Sequence, residues 1–295
     1  MSRRGWAITI ILGIFCLAFL FGFVGCLSAI GVGVNNNFEQ GNVALIEVSE
    51  TLIFPDEIIG RIEQAGSDEA IKAVILRIDS PGGSVAASQE ILEAILKLKE
   101  KKPVVASMSN VAASGGYYVA LGANKIIADA GTITGSIGVR MEHVQISGLL
   151  DWAKIKQQTL KSGKYKDIGS PLRELTPEER AILQDMLDDI HNQFKQAVAL
   201  SRNMPMDQID KLADGRVFTG LKAKELGLID DLGGLTRALA LAGELGGIEE
   251  PVLAKYKNQF DYSELLGIFG EIKSVMAQFK VSAPRLWQAN ILSVR

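Results

Sequence analysis

The sequence has few of the side chains on which many kinds of site depend. Its two cysteines, Cys16 and Cys26, both lie in an apolar run near the N-terminus. The rest of the chain therefore has no thiol for a disulfide bond, a thiolate nucleophile or a cysteine-liganded zinc site. It also has neither a G-x-G-x-x-G motif nor a P-loop lysine, so no nucleotide cofactor is indicated. We expect no metal and no cofactor.

Positive charge is also limited, because 31 Lys and Arg residues stand against 34 Asp and Glu residues and form no basic stripe. Nucleic acid is therefore not expected as a partner. Histidine is scarcer still. His191 falls within a predicted helix among Asp188, Asp189 and Gln193, where it is expected to lie on a solvated face. His143 follows a predicted strand at 135–139 and remains an alternative catalytic base.

The N-terminal apolar run is long enough to cross a membrane. It follows Arg3 and Arg4 and is uncharged from Gly5 to Phe38. A bilayer core needs about 20 apolar residues, whereas a secretory signal usually has only about 7–15. We therefore expect residues 1–34 to form an uncleaved transmembrane anchor. The paired arginines favour a cytoplasmic N-terminus, which would put everything after a polar linker at 35–42 on the extracytoplasmic side.

Short apolar strands alternate with amphipathic helices through residues 43–250, a pattern that predicts an α/β domain with much parallel pairing. Strands are predicted at 43–48, 73–78 and 103–107, and helices at 57–65 and 89–101. Thr176, Pro177 and Glu179 are typical of a helix start, and this helix is expected to run to about Arg202. The tail at 251–295 has apolar residues at helical spacing and is predicted to be amphipathic.

Two motifs of small residues are candidates for chemistry. Ser114 lies in a run of small residues and opens a predicted helix, where free N–H groups can stabilise an oxyanion. It could be a nucleophile or simply a capping serine. The segment 79–84 contains paired glycines at the end of a core strand. The N–H groups of Gly83 and Gly115 are candidate oxyanion donors, although a plain glycine turn would have the same sequence.

A serine nucleophile needs a base that takes its proton. Lysine can serve when burial lowers its pKa. Three candidates lie close together at Lys161, Lys164 and Lys166. Composition does not choose among them, and a lysine-rich turn is also typical of a solvated loop.

The motifs taken together resemble the signal peptide peptidase A family in its short, single-repeat form. The resemblance extends from Val43 to Gly234, and it depends on the order and spacing of six segments rather than on any one of them. These segments are 79–84, 112–118, 134–139, 161–167, 213–220 and 223–230.

The resemblance implies a role for each matching residue. It implies Ser114 as nucleophile, Lys166 as base, Ser136 as the residue that orients the lysine, and Gly83 as an oxyanion donor. It further implies a Clp protease/crotonase-like fold, a spiral of β-β-α units. Family members are membrane-bound, form dome-like homo-oligomeric rings with sites at contacts between neighbours, and degrade cleaved signal peptides. We therefore expect a membrane-anchored serine endopeptidase that acts on short hydrophobic peptides.

Three alternatives remain open from the sequence. A Clp-like protease would use a Ser–His–Asp triad with His143 as base, but the 161–167 motif argues against it. A crotonase-like acyl-CoA enzyme shares the backbone donors but needs neither Ser114 nor Lys166. A catalytically inactive membrane scaffold would also have no need of Ser114 and Lys166.

Overall fold

The computed structural model describes residues 40–256, which form eight strands and eight helices. The strands are β1 (Val43–Leu52), β2 (Ala73–Gly83), β3 (Val104–Ala113), β4 (Lys125–Ala128), β5 (Ile133–Gly135), β6 (Val217–Thr219), β7 (Asp231–Leu232) and β8 (Leu253–Lys255). The helices are α1 (Asp56–Ser67), α2 (Val85–Lys99), α3 (Gly115–Ala120), α4 (Ser147–Trp152), α5 (Pro177–Arg202), α6 (Met206–Asp210), α7 (Gly220–Glu225) and α8 (Leu235–Gly246).

All eight strands belong to one mixed sheet. Its main order is β6-β5-β3-β2-β1-β8, and β4 pairs with both β3 and β7. Only the β5–β6 pair is antiparallel within the described residues. The predicted α/β class with much parallel pairing is confirmed, and the sheet fits a Clp/crotonase-like fold.

Apolar side chains cover both faces of the central strands. Ile46, Leu76 and Ala106 belong to the larger core, which includes residues of α1, α2, α3 and α5. The alternate residues, Ile75 and Val105 among them, pack on the other face with α8. Because neither face meets water, the strands need no polar alternation, and this explains their continuous apolar runs.

The C-terminal ends of four strands meet at one edge of the sheet. Leu52 of β1 pairs with Gly83 of β2, and Ala113 of β3 pairs with Gly135 of β5. Residues that follow these strands are therefore neighbours in space although they are distant in sequence. This edge is where ligands bind in parallel α/β sheets.

Several predicted boundaries differ from the structure. The strand predicted to end at Ile78 continues as β2 to Gly83, because the 79–83 segment pairs with β1 and β3 across a register shift. The strand predicted at 135–139 ends at Gly135 as β5. The sheet also includes β8, which pairs with β1 beyond Glu250. The helix start at Thr176 is confirmed, with a capping box to Glu179 and a helix that ends at Arg202.

The predicted anchor at 1–34 lies outside the described residues, as do most of the linker and the tail from residue 257. No helix between residues 40 and 256 is long and apolar enough to cross a bilayer.

A buried tyrosine ties the helix that follows Ser114 to a distant part of the chain. The Tyr117 hydroxyl donates a hydrogen bond of 2.8 Å to the carbonyl oxygen of Leu228. Its burial raises the pKa of the hydroxyl above the usual value, so the group keeps the proton that it donates. The bond therefore fixes α3, and with it the start of that helix, against the 226–230 turn.

Replacing Tyr117 by Phe should leave the Leu228 carbonyl without this donor. We expect the free energy of unfolding to fall by about 1–3 kcal/mol, since a buried polar group left unpaired is costly. Urea denaturation measures the change. Tyr118→Phe is the matched control, because the Tyr118 hydroxyl donates no hydrogen bond to any other residue between 40 and 256. An equal loss in both variants would contradict this account.

Candidate active site

Ser114 occupies the turn between β3 and α3 in a conformation that is rare for serine. Its φ is +53° and its ψ is −120°. The backbone is held there by a 2.8 Å hydrogen bond from its N–H to the Gly135 carbonyl and by one from the Tyr118 N–H to its own carbonyl. Such a conformation costs free energy and is typical of functional sites. The side chain makes no capping hydrogen bond, so the capping alternative is wrong.

Two backbones approach each other closely beside this serine. A Cβ atom at Gly82 would lie 2.5 Å from the Gly115 nitrogen and 2.9 Å from the Ser114 Cβ. One at Gly115 would lie 2.5 Å from Ser88 Oγ and 3.2 Å from the Gly83 nitrogen. Only glycine permits this contact. The two predicted oxyanion donors, Gly83 and Gly115, are thus next to each other and to Ser114.

Ser114 opens into a cleft of about 820 Å³. Ser136 lines the same cleft, immediately after β5, where its φ is +52° and its N–H donates to the Arg216 carbonyl. Gly83, Arg140, His191 and Asp214 also line it. The structure therefore brings together four predicted site residues, namely Ser114, Ser136, Gly83 and Gly115.

A second, much smaller pocket of about 30 Å³ adjoins Ser114. Its walls are mainly apolar and include Val139, Tyr118, Ile190 and Phe194. The rings of Tyr118 and Phe194 meet edge to face at 4.9 Å. A small apolar side chain fits this space.

Lys166 lines neither the cleft nor the small pocket. It is exposed on an irregular segment between α4 and α5. The other two lysines are occupied, because Lys161 lies 2.6 Å from Asp167 and Lys164 pairs with Glu178. Lys166 has neither an ion pair nor a side-chain hydrogen bond among residues 40–256. Of the three candidates it is the lysine without a partner, yet it is not among the residues that line the cleft of its own chain.

The lysine segment is anchored by an arginine that the sequence did not single out. Arg173 donates two hydrogen bonds of 2.9 Å to Asp167 and others of 2.8 and 2.5 Å to Glu179. Glu179 is only 3% exposed and also forms the capping box of α5 with Thr176. The Arg173 guanidinium lowers the pKa of Asp167 well below its usual range and that of Glu179 to about 2.

The structure changes the interpretation of both histidines. His191 lines the Ser114 cleft, and its Nε2 atom is shielded from solvent without a hydrogen-bond partner. The prediction of a solvated face was wrong, because α5 turns this part of its surface toward the cleft. The Nε2 atom of His143 also has no partner, but His143 lines neither the cleft nor the small pocket.

Comparison with known proteins identifies the class. A model of peptidase family S49 matches residues 96–249, just over half of the chain. A putative protease of Synechocystis is 48% identical over 177 residues, which are 60% of this chain and 64% of that protein. The chloroplastic serine protease SPPA of Arabidopsis thaliana is 42% identical over 197 residues, 66% of this chain and 29% of that protein. A putative signal peptide peptidase SppA of Enterococcus faecium is 34% identical over 224 residues, 74% of this chain and 65% of that protein.

These similarities define the family. The chain belongs to peptidase family S49, which confirms the resemblance to the signal peptide peptidase A family. It spans less than two thirds of the length of each of the three relatives.

Replacing Arg173 by Met should loosen the lysine segment, because Glu179 loses its cation and Asp167 keeps only Lys161. We expect faster proteolysis within residues 161–173 and a melting temperature several degrees lower. Both carboxyl pKa values are depressed in the folded protein, so their stabilisation is present above about pH 4.5 and is lost as the pH falls toward 2. The variant should therefore lose less stability than the wild type between pH 5 and pH 3.

Lys97→Met is the control for this experiment, since it removes an exposed pair with Glu93 one helical turn away. Its melting temperature should change little at any pH. If Arg173→Met matched this control, Arg173 would not be anchoring the segment.

Proposed function

We propose that this protein is a membrane-anchored serine endopeptidase that degrades cleaved signal peptides and other short hydrophobic peptides. Ser114 is the nucleophile, Lys166 the general base and Ser136 the residue that orients the lysine. The observation that carries the proposal is the position of Ser114, in an uncapped turn with positive φ, between an open cleft and a small apolar pocket.

These roles define the proposed reaction. The neutral Lys166 amine takes the proton of the Ser114 hydroxyl while Oγ forms a bond to the substrate carbonyl carbon. The N–H groups of Gly83 and Gly115 bind the oxygen that becomes negative. The C–N bond then breaks, and the leaving amine takes the proton from the Lys166 ammonium. Water repeats the sequence on the acyl-enzyme and releases Ser114.

The base would come from a neighbouring copy of the chain. Lys166 is unpaired but lies outside the cleft of its own chain, and the cleft already contains Ser136, which would orient the amine. An exposed apolar stretch precedes the lysine segment, with Leu149 61% and Trp152 82% exposed. Apolar surface of this kind is typical of a protein–protein contact. These features support a homo-oligomeric ring in which each cleft receives the lysine of the next subunit.

The small pocket supports a preference for substrates with a small apolar side chain. Its apolar walls and its volume of about 30 Å³ favour a small apolar residue on the acyl side of the scissile bond. The cleft beside it is open, so an extended peptide can enter without unfolding of the domain. Peptides that end in small residues after removal from a preprotein have this chemistry.

The membrane anchor rests on the sequence of residues 1–34. An apolar run after two arginines supports a single-pass protein with its N-terminus in the cytoplasm and its catalytic domain on the extracytoplasmic side. The mixed sheet supports a Clp protease/crotonase-like fold for this domain. A peptidase fixed at the membrane surface is well placed to meet hydrophobic peptides that leave the bilayer.

The shared site can be tested by mixing two inactive chains. Ser114→Ala and Lys166→Ala should each abolish peptide hydrolysis, because nucleophile and base act as one unit. When the two are co-expressed and the mixed oligomer is isolated in detergent, about a quarter of the sites should regain both residues if mixing is random in a closed ring. Hydrolysis of an apolar peptide should therefore return to roughly a quarter of the wild-type rate.

Lys164→Ala serves as the matched control and should retain most of the activity, since Lys164 is engaged with Glu178. A mixed oligomer no more active than its parents would rule out the shared site. Full activity in Lys166→Ala would instead rule out the lysine base, and failure of a fluorophosphonate to label Ser114 in the wild type would favour an inactive scaffold.

The proposed topology gives a separate prediction. A reporter that is active only outside the cytoplasm should be active when fused after Arg295, and the protein should remain with membranes after a high-salt wash. Replacing Arg3 and Arg4 by Glu should reduce the fraction with this orientation. A soluble, N-terminally trimmed main species would contradict the anchor.

A further inference from the structure

The side of α5 that carries His191 forms one wall of the site around Ser114. Ile190 and Phe194 line the small apolar pocket, whereas His191 lines the larger cleft. The wall is fixed at two points, by the edge-to-face contact of Phe194 with Tyr118 and by a 3.0 Å hydrogen bond from Gln89 to Gln193. These two contacts hold the part of α5 that carries His191 against the rest of the domain.

The His191 Nε2 atom lacks the hydrogen bond that a buried nitrogen normally makes. The nearby carboxylates of its own helix have other partners, since Asp188 accepts from Gln184 and Asp189 accepts from Gln193. The charged groups of the cleft are also engaged. Asp214 is paired with Arg216, and Arg140 lies 3.0 Å from Glu142. No described side chain supplies the missing partner.

We propose that His191 is a substrate-binding residue whose imidazole turns about its side-chain bonds, so that a nitrogen shielded in the free chain hydrogen-bonds the main chain of a peptide in the cleft. The peptide places its small apolar side chain between Ile190, Phe194 and Tyr118, and a neighbouring peptide group reaches His191 on the same helix. This inference rests on the proposed function of the Ser114 site but not on the identity of the base. It assigns His191 to binding of extended peptides rather than to the chemical step.

The consequence is a difference between long and short substrates. An apolar peptide of several residues spans both the small pocket and the cleft, whereas a small aryl ester reaches only Ser114 and its pocket. One hydrogen bond between neutral groups is worth about 3- to 10-fold in binding. His191→Leu should therefore raise KM for the peptide by about that factor with a smaller change in kcat, and the loss in kcat/KM should be larger for the peptide than for the ester.

His191→Gln, which keeps a donor and an acceptor, should restore part of the peptide affinity. His143→Leu is the matched control, because His143 has the same unpartnered nitrogen but lines neither pocket. Its peptide KM should match that of the wild type. Melting temperatures of all variants separate a loss of binding from a loss of folding.

Binding measured without turnover separates this inference from the proposed function. The affinity of a fluorescent apolar peptide is measured by anisotropy for Ser114→Ala and for the double variant Ser114→Ala/His191→Leu. A weaker affinity in the double variant supports the inference whether or not the wild type hydrolyses the peptide. Equal affinities, no peptide binding at all, or equal losses for peptide and ester would overturn it.

Discussion

The contact between Gly82 and the Ser114–Gly115 backbone is the constraint on which the site depends. Two chain segments approach so closely that no side chain fits between them. The approach is possible because β2 and β3 are parallel neighbours whose C-terminal ends reach the same edge of the sheet. It accompanies the unusual backbone conformation of Ser114 and sets the Gly83 nitrogen beside Gly115. The proposed nucleophile and the proposed oxyanion donors are consequently fixed by the same packing.

Helix α5 contacts both the segment that carries Lys166 and the pocket beside Ser114. Its first turn contains Glu179, which holds Arg173 and through it Asp167, next to Lys166. Its middle contains Ile190, His191 and Phe194, which line the small pocket and the cleft beside Ser114. A shift of this helix would move the base segment and the substrate wall together. One continuous helix therefore connects the lysine segment that we propose to reach a neighbouring subunit with the wall that we propose to bind the peptide.

Much of this arrangement was predictable from local sequence. The apolar strands, the capping box at Thr176 and the small residues around Ser114 are features whose physical cause lies within a few positions of the chain. The strand through 79–83 was not predictable, because its pairing with β1 and β3 overrides the local preference of proline and glycine for turns. Arg173 was missed because its partners emerge only when the loop folds back on α5. His191 was misassigned because polar neighbours on its helix indicated solvent, whereas the cleft beside it is formed by segments far away in sequence.

The backbone of Ser114 has a consequence for how this position evolves. A φ of +53° with a ψ of −120° is a conformation that glycine adopts freely and that costs a residue with a side chain about 1–3 kcal/mol. Selection for folding alone would therefore replace this serine with glycine. Lineages that no longer need the chemistry are expected to drift toward Ser114→Gly and to gain thermal robustness as they do so. Given the proposed role of Ser114 as nucleophile, the residue at this position records whether a member of the family is still under selection for catalysis.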